Sequence, residues 1–126
     1  MRPTKILVID DSKLIHTMFS LLFPKVSQAH AMDGLEALQR LSENPEVDLI
    51  FLDINMPHMN GLELLQRLKQ DATFAQIPVI IVSTEGKEQD TVRGLEAGAA
   101  AYVKKPFRQE VVADIVHRLP ARQPQA

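Results

Sequence analysis

The residues best suited to chemistry in this 126-residue chain stand where short apolar segments end. They carry carboxylate, hydroxyl and ammonium groups, at Asp10, Asp11, Asp53, Ser83, Thr84, Lys104 and Lys105. Carboxylates held within a few ångströms repel one another, so a group of them requires a cation. Because the chain has no cysteine, its oxygen ligands favour a hard metal ion such as Mg²⁺. Carboxylates, Mg²⁺ and a lysine together suit a phosphoryl group, which an aspartate can accept as an acyl phosphate.

Each of these residues also has an ordinary structural interpretation. An aspartate at a strand end often caps the next helix, a Ser-Thr pair often forms a turn, and a lysine before proline is usually solvated. Complementary groups follow four separate apolar segments, however, and this coincidence favours one shared site over four unrelated features.

The apolar segments predict the sheet that would bring these groups together. Four segments are short and apolar on both faces, as in the central strands of a parallel sheet: Ile6–Ile9, Leu49–Leu52, Val79–Val82 and Ala101–Val103. A more polar segment around Val26–His30 predicts an edge strand. Ligands bind beyond the carboxyl ends of such strands, where the polar groups lie.

Amphipathic segments between the strands predict five helices. Leu62, Leu65 and Leu68 show the helical spacing, and the segment around Val92 is the least apolar. The alternation predicts an α/β fold of the (βα)₅ type, a three-layer α/β/α sandwich with a five-stranded parallel sheet. We interpret residues 1–126 as a single domain, with a frayed tail from about residue 120 to 126.

The composition narrows the possible classes of function. A formal net charge of −2 without a basic segment argues against binding to nucleic acid or to an anionic membrane surface. No apolar segment approaches the roughly 18 residues of a membrane span, and none resembles a signal peptide. With no cysteine present, a cytoplasmic location is the expectation.

The motifs, taken in order, resemble the receiver domain of bacterial response regulators. They are Ile-Leu-Val-Ile-Asp10-Asp11-Ser, Leu-Asp53-Ile-Asn55-Met-Pro57, Asn60-Gly61-Leu, Val-Ser83-Thr84-Glu85, Glu96-Ala97-Gly98-Ala99 and Tyr102-Val-Lys104-Lys105-Pro106-Phe107. The resemblance spans about Lys5 to about Leu119 and is greatest to the stand-alone chemotaxis regulators. It implies the flavodoxin-like strand order 2-1-3-4-5. It also implies a two-component signalling protein that receives a phosphoryl group from a histidine kinase or a histidine phosphotransfer protein.

The resemblance further implies which residues carry phosphate and signal. Asp53 would be the phosphoacceptor, and Lys105 would contact the phosphoryl oxygens. Ser83 and Tyr102 would form a switch that changes the surface of the fourth helix, fifth strand and fifth helix. The Lys105–Pro106 peptide bond is expected to be cis.

The metal ligands are likewise implied by the resemblance. Asp11, Asp53 and the backbone carbonyl of Asn55 would bind Mg²⁺ directly, and Asp10 would act through water. Asn55 and Glu85 occupy positions that tune dephosphorylation in the family.

The partners implied are the phosphodonor, an effector protein connected with chemotaxis or motility, and a phosphatase. The chain would be a monomer or a weak dimer that forms on phosphorylation. It would catalyse only its own phosphorylation and dephosphorylation, and is therefore not expected to be an enzyme. His16 and His58 could border the site, although exposed positions are commoner for such histidines; His30 and His117 suit a direct role less.

One alternative stays open, because a phosphorelay intermediate that passes phosphate to a histidine phosphotransfer protein would use the same site and the sequence does not separate the two. Other functions fit the residues less well. A flavodoxin-like electron carrier is disfavoured because Asp10 and Asp11 would repel a flavin phosphate. A phosphatase of the haloacid-dehalogenase type needs an acid where Asn55 stands. A degenerate receiver is disfavoured because every acidic and lysine position is present.

Overall fold

The computed structural model describes residues 1–54, 60–84 and 88–120, in which strands and helices alternate along the chain. The strands are β1 (Lys5–Ile9), β2 (Ser27–Ala31), β3 (Leu49–Leu52), β4 (Val79–Ser83) and β5 (Ala101–Lys104). The helices are α1 (Lys13–Leu22), α2 (Gly34–Glu43), α3 (Gly61–Gln70), α4 (Glu88–Glu96) and α5 (Gln109–Arg118). The strands pair in parallel in the order β2-β1-β3-β4-β5, which confirms the predicted flavodoxin-like (βα)₅ fold.

The sheet lies between two layers of helices because its central strands are apolar on both faces. Successive side chains of a strand point to opposite faces. Leu7 and Ile9 of β1 therefore pack into a core with the buried residues of α2 and α3. Ile6 and Val8 pack into a second core with those of α1 and α5. None of the helices in the described part of the chain is long and apolar enough to cross a membrane.

The edge strand β2 differs slightly from its prediction. It covers Ser27–Ala31 and not Val26–His30. Val26 instead belongs to the preceding turn, where its N–H donates to the Phe23 carbonyl at 3.2 Å. A shift of one residue at a strand end is ordinary, and the predicted edge position is correct.

A close contact between α3 and β3 fixes the carboxyl end of the central strand. A Cβ atom at Gly61 would lie 2.5 Å from the Asp53 carbonyl oxygen, so only glycine permits this approach. The Gly61 N–H also donates to the Ile54 carbonyl at 3.0 Å. Asn60 caps α3 by accepting a hydrogen bond from the Glu63 N–H at 2.9 Å. The backbone of Asp53 is therefore held by the first turn of α3.

Candidate functional site

Four strand ends place polar side chains at one edge of the sheet. Asp10 follows β1, Asp53 follows β3, Ser83 ends β4 and Lys105 follows β5. These ends meet at the same edge because the strands are parallel. Asp10, Asp53 and Ser83 are also the buried polar residues of the described ranges, with 2%, 6% and 0% exposure. Burying polar groups costs stability unless they have partners, so their concentration at this edge indicates a functional site.

Asp10, Asp11 and Asp53 form a compact carboxylate cluster. Each offers a ligand oxygen, and these oxygens all lie within 4.8 Å of one another. Mg²⁺ holds its oxygen ligands at about 2.1 Å, so oxygens on one ion lie up to about 4.2 Å apart. The oxygens of the cluster, all within 4.8 Å of one another, thus lie close to that spacing. The donor atoms, all carboxylate oxygens, therefore fit Mg²⁺.

Lys105 provides a positive charge beside this cluster. Its Nζ lies 2.6 Å from Asp10 Oδ2 and 3.8 Å from Asp53 Oδ2. The three side chains are 11%, 2% and 7% exposed, so water screens these ion pairs weakly. The Lys105 N–H donates to the Ser83 carbonyl at 2.9 Å, and the Lys105–Pro106 peptide bond is cis. Pairing with β4 thus fixes the backbone of Lys105, from which the side chain reaches the carboxylates.

Asp10 is held on every side by hydrogen bonds. Its Oδ1 accepts from the Ser12 N–H at 2.9 Å, and its own N–H donates to the Ala31 carbonyl at 3.1 Å. Its carbonyl oxygen lies 2.8 Å from His16 Nε2. With the Lys105 ion pair, these contacts fix both the backbone and the carboxylate of Asp10. The β1–α1 connection therefore presents the Asp10 carboxylate in one defined position.

Comparison with known proteins agrees with this geometry. The family model of the response regulator receiver domain matches residues 6–117. This chain belongs to that family. The receiver is 32% identical over 113 residues to chemotaxis protein CheY1 of Helicobacter pylori, covering 87% of this chain and 91% of that protein. It is also 38% identical over 118 residues to a gliding motility regulatory protein of Myxococcus xanthus, covering 91% of this chain and 15% of that protein.

Solved structures show the same relationship. Chemotaxis protein CheY4 of Vibrio cholerae superposes on the receiver with a TM-score of 0.85 at 28% identity, covering 94% of this chain and 100% of that chain. A CheX–CheY complex with BeF₃ and Mg²⁺ from Borrelia burgdorferi gives a TM-score of 0.83 at 30% identity, covering 90% of this chain and 87% of that chain. The chain is thus a receiver of the chemotaxis-regulator type, a class that acts in two-component signalling.

The two predicted switch residues lie on neighbouring strands of the receiver. Ser83 ends β4 with no exposed surface, and Tyr102 is half-buried in β5. Tyr102 pairs with Ile81, two residues before Ser83, and packs against the core that contains α2 and α3. The structure therefore places Ser83 beside Lys105 and Tyr102 on the adjoining strand. Their action as a switch stays a prediction.

His16 lies closer to the site than the sequence indicated. Besides its contact with the Asp10 carbonyl, its Nδ1 lies 2.6 Å from Nδ1 of His30, with the two rings edge to face. His16 belongs to α1 and His30 to β2, so only the folded topology shows that they meet. His117 lies exposed on α5. The sequence signal that could have indicated the His16 contact is the position of a histidine in the helix that follows Asp11.

Some predicted site residues fall outside the described ranges. They are the implied metal ligand Asn55, the dephosphorylation residue Glu85 and His58. The predicted frayed tail lies there also, from residue 121 onward. Their roles stay predictions from the family resemblance.

The surroundings of His30 predict a pH dependence of stability. Burial and then the charge of His16 lower the pKa of His30 from its ordinary value of 6.5. Arg40 of α2 also lies here, and its Nε donates to the His30 carbonyl at 3.3 Å. Below pH 6.5 the unfolded chain therefore binds a proton at His30 that the folded chain binds only at lower pH. The stability that neutral His30 gives the folded state is therefore complete above pH 6.5. It is lost as the pH falls through the lower pKa of His30 in the folded state.

His30→Asn should remove this pH dependence while keeping an N–H donor toward His16. We expect the wild-type protein to lose more stability than the variant between about pH 7.5 and about pH 5.5. Urea denaturation in EDTA measures both at each pH. Equal losses of stability in the two proteins over that range would show that folding does not lower the pKa of His30.

Proposed function

We propose that this receiver accepts a phosphoryl group on Asp53 from a histidine kinase or a histidine phosphotransfer protein, in a reaction that requires Mg²⁺. The observation that carries the proposal is the position of Asp53. Its buried carboxylate shares a cluster within 4.8 Å with two other aspartates and lies 3.8 Å from the Lys105 ammonium group. Helix capping alone does not account for two further carboxylates and a largely buried lysine at the same place.

The transfer step uses the Asp53 carboxylate as nucleophile. One carboxylate oxygen forms a bond to phosphorus while the bond from phosphorus to the donor's imidazole nitrogen breaks. The imidazole keeps the electron pair and takes a proton from solvent. Lys105 stands where its charge offsets that of the phosphoryl oxygens. The product is an acyl phosphate on Asp53, which hydrolysis returns to the free carboxylate.

Mg²⁺ would be held directly by Asp11 and Asp53, through water by Asp10, and by the backbone carbonyl of Asn55 that the family resemblance implies; when bound it would neutralise charge on the phosphoryl oxygens. The clustered carboxylates repel one another without a cation, and Lys105 offsets only one of their charges. The protein therefore supplies excess negative charge that a divalent cation would balance.

The phosphoryl group would act on the rest of the molecule through Ser83. Its hydroxyl would donate to a phosphoryl oxygen, and this contact would favour one of two packings around Tyr102 on β5. Apolar side chains on the neighbouring helices are exposed and available to an effector: Val92 and Leu95 on α4 and Val111 on α5. We infer an effector connected with motility, because the relatives above are named for chemotaxis and gliding motility. The receiver would act in the cytoplasm as a phosphorylated switch, without converting a separate substrate.

Ser83→Ala tests the switch separately from phosphorylation. The variant keeps the Asp53 carboxylate and Lys105, so it should take up phosphate from acetyl phosphate. It should lose the response of Tyr102, because the hydroxyl that couples phosphate to β5 is missing. NMR spectra of the Tyr102 ring with and without beryllofluoride measure this response. A full response of the ring in the alanine variant would show that Ser83 is not the coupling residue.

The proposal as a whole is tested by labelling with acetyl phosphate. We expect intact-protein mass spectrometry to show one added phosphoryl group in Mg²⁺ and none in EDTA. Hydroxylamine should remove that group, because it cleaves acyl phosphates and leaves phosphoserine intact. A label that resists hydroxylamine, or that forms equally in EDTA, would contradict the proposal.

A further inference from the structure

His16 connects the metal-site loop to the edge of the sheet. Its Nε2 lies 2.8 Å from the Asp10 carbonyl oxygen and its Nδ1 lies 2.6 Å from His30 Nδ1. All three residues are at least half-buried. A continuous line of contacts therefore runs from β2 through α1 to the peptide between Asp10 and Asp11.

The partners fix where the protons sit on the two rings. A carbonyl oxygen can only accept, so Nε2 of His16 must carry the proton in that bond. In neutral His16 the Nδ1 is then an acceptor, and His30 Nδ1–H is its donor. His30 thus favours the one neutral tautomer of His16 that can bind Asp10, as a second partner orients the ring of many metal-site histidines.

The hydrogen bond acts on the link between two of the clustered carboxylates. The Asp10 carbonyl belongs to the peptide that continues directly into Asp11. The contacts of Ser12 and Lys105 hold the Asp10 side chain, and Ala31 holds its N–H. His16 holds the remaining group, the carbonyl, and so sets the plane of the peptide that leads into the exposed Asp11.

We propose that His16 is a positioning residue for the divalent cation, because its Nε2–H, oriented by His30, holds the Asp10–Asp11 peptide so that Asp11 faces Asp10 and Asp53. This inference rests on the proposed Mg²⁺ site. It assigns the metal affinity of the receiver partly to a histidine that touches neither the cation nor the phosphoryl group. The alternative is that the two histidines only join α1 to β2.

Two polar substitutions separate these roles. The amide nitrogen of glutamine reaches the place of Nε2, so His16→Gln retains a donor to the Asp10 carbonyl. The shorter His16→Asn places its amide near Nδ1, where it can contact His30 but not Asp10. A role limited to joining α1 and β2 would be served better by Asn, whereas positioning of the cation would be served better by Gln. His117→Asn on the exposed face of α5 is the matched control.

The affinity for Mn²⁺ as a probe cation, measured by electron paramagnetic resonance, is the main readout. We expect His16→Asn to raise the dissociation constant for Mn²⁺ about tenfold, in the range typical of lost outer-shell partners. The constant of His16→Gln should stay within about threefold of wild type. His117→Asn should equal wild type. Equal affinities in the Asn and Gln variants would overturn the inference.

Two further measurements remove ambiguity. Long-range ¹H–¹⁵N spectra of the metal-free wild-type protein should show His16 protonated at Nε2 and His30 at Nδ1; a proton on Nδ1 of neutral His16 would overturn the inference even if a variant failed to fold. Labelling with acetyl phosphate should slow in His16→Asn at low Mg²⁺ and recover at saturating Mg²⁺. If wild type bound no divalent cation, the proposed function itself would fail; if wild type bound it and His16→Asn bound it equally, only the role of His16 would fail.

Discussion

Lys105→Gln should lower the free energy of unfolding of the metal-free protein by about 3 kcal/mol. The reason is the burial of the ion pair it forms. Lys105 Nζ lies 2.6 Å from Asp10 Oδ2, and the two side chains are 11% and 2% exposed. Removing one partner of a buried pair leaves the other charge unbalanced, and here two more carboxylates stand beside it. Glutamine keeps much of the side chain's length and hydrogen-bonding capacity, so the loss reports mainly on the missing charge.

Lys104→Gln is the matched control, because Lys104 is the adjacent residue and is exposed. Its substitution should change stability by less than about 0.5 kcal/mol. Urea denaturation in EDTA gives both values. Added Mg²⁺ should stabilise Lys105→Gln, because the cation balances the same carboxylates. Similar losses in the two variants would mean that Lys105 does not offset the charge of the cluster.

Asp11→Asn should have two opposite effects on the thermal stability of the receiver. In EDTA the variant should melt at a higher temperature than wild type, since one of three mutually repelling charges is gone. In Mg²⁺ this order should reverse, because the variant lacks a ligand and gains little from the ion. We expect its Mg²⁺ affinity to fall at least tenfold, roughly the loss that even an outer-shell partner can cause.

Calorimetric titration with Mg²⁺ and melting curves with and without the ion measure these effects. Asp114→Asn removes an aspartate of α5 that pairs with Arg118 at 3.2 Å in an exposed position. That control should leave Mg²⁺ binding unchanged and cost at most about 0.5 kcal/mol. Melting of Asp11→Asn below wild type in EDTA would show that Asp11 has a structural partner instead of a repulsive one.

The sequence was sufficient to predict the sheet and the polar residues that gather at its carboxyl edge. The segments that end at Ile9, Leu52 and Val82 are apolar on both faces, which is typical of a parallel sheet covered by helices on both sides. Once those strands are parallel, Asp10, Asp53 and the groups after β4 and β5 must share an edge. The strand order came from the family resemblance, because hydrophobic patterns do not specify which strands pair.

The contacts that the sequence did not predict depend on distances between elements. Lys105 was expected beside the phosphoryl group, and the structure shows its shortest ion pair with Asp10. The meeting of His16 with His30 joins residues 14 positions apart on a helix and an edge strand. Gly61 matches a family motif, but only the structure shows why glycine is needed there, namely that its backbone lies against that of Asp53.

The central claim is that Asp53 receives the phosphoryl group, and intact-protein mass spectrometry after incubation with acetyl phosphate and Mg²⁺ tests it most directly. Wild type and Asp114→Asn should each gain one phosphoryl group, because the carboxylate cluster and Lys105 are intact in both. Asp53→Asn should gain none, because its amide is not a nucleophile for phosphorus. Labelling of Asp53→Asn to the same extent as wild type would contradict the account.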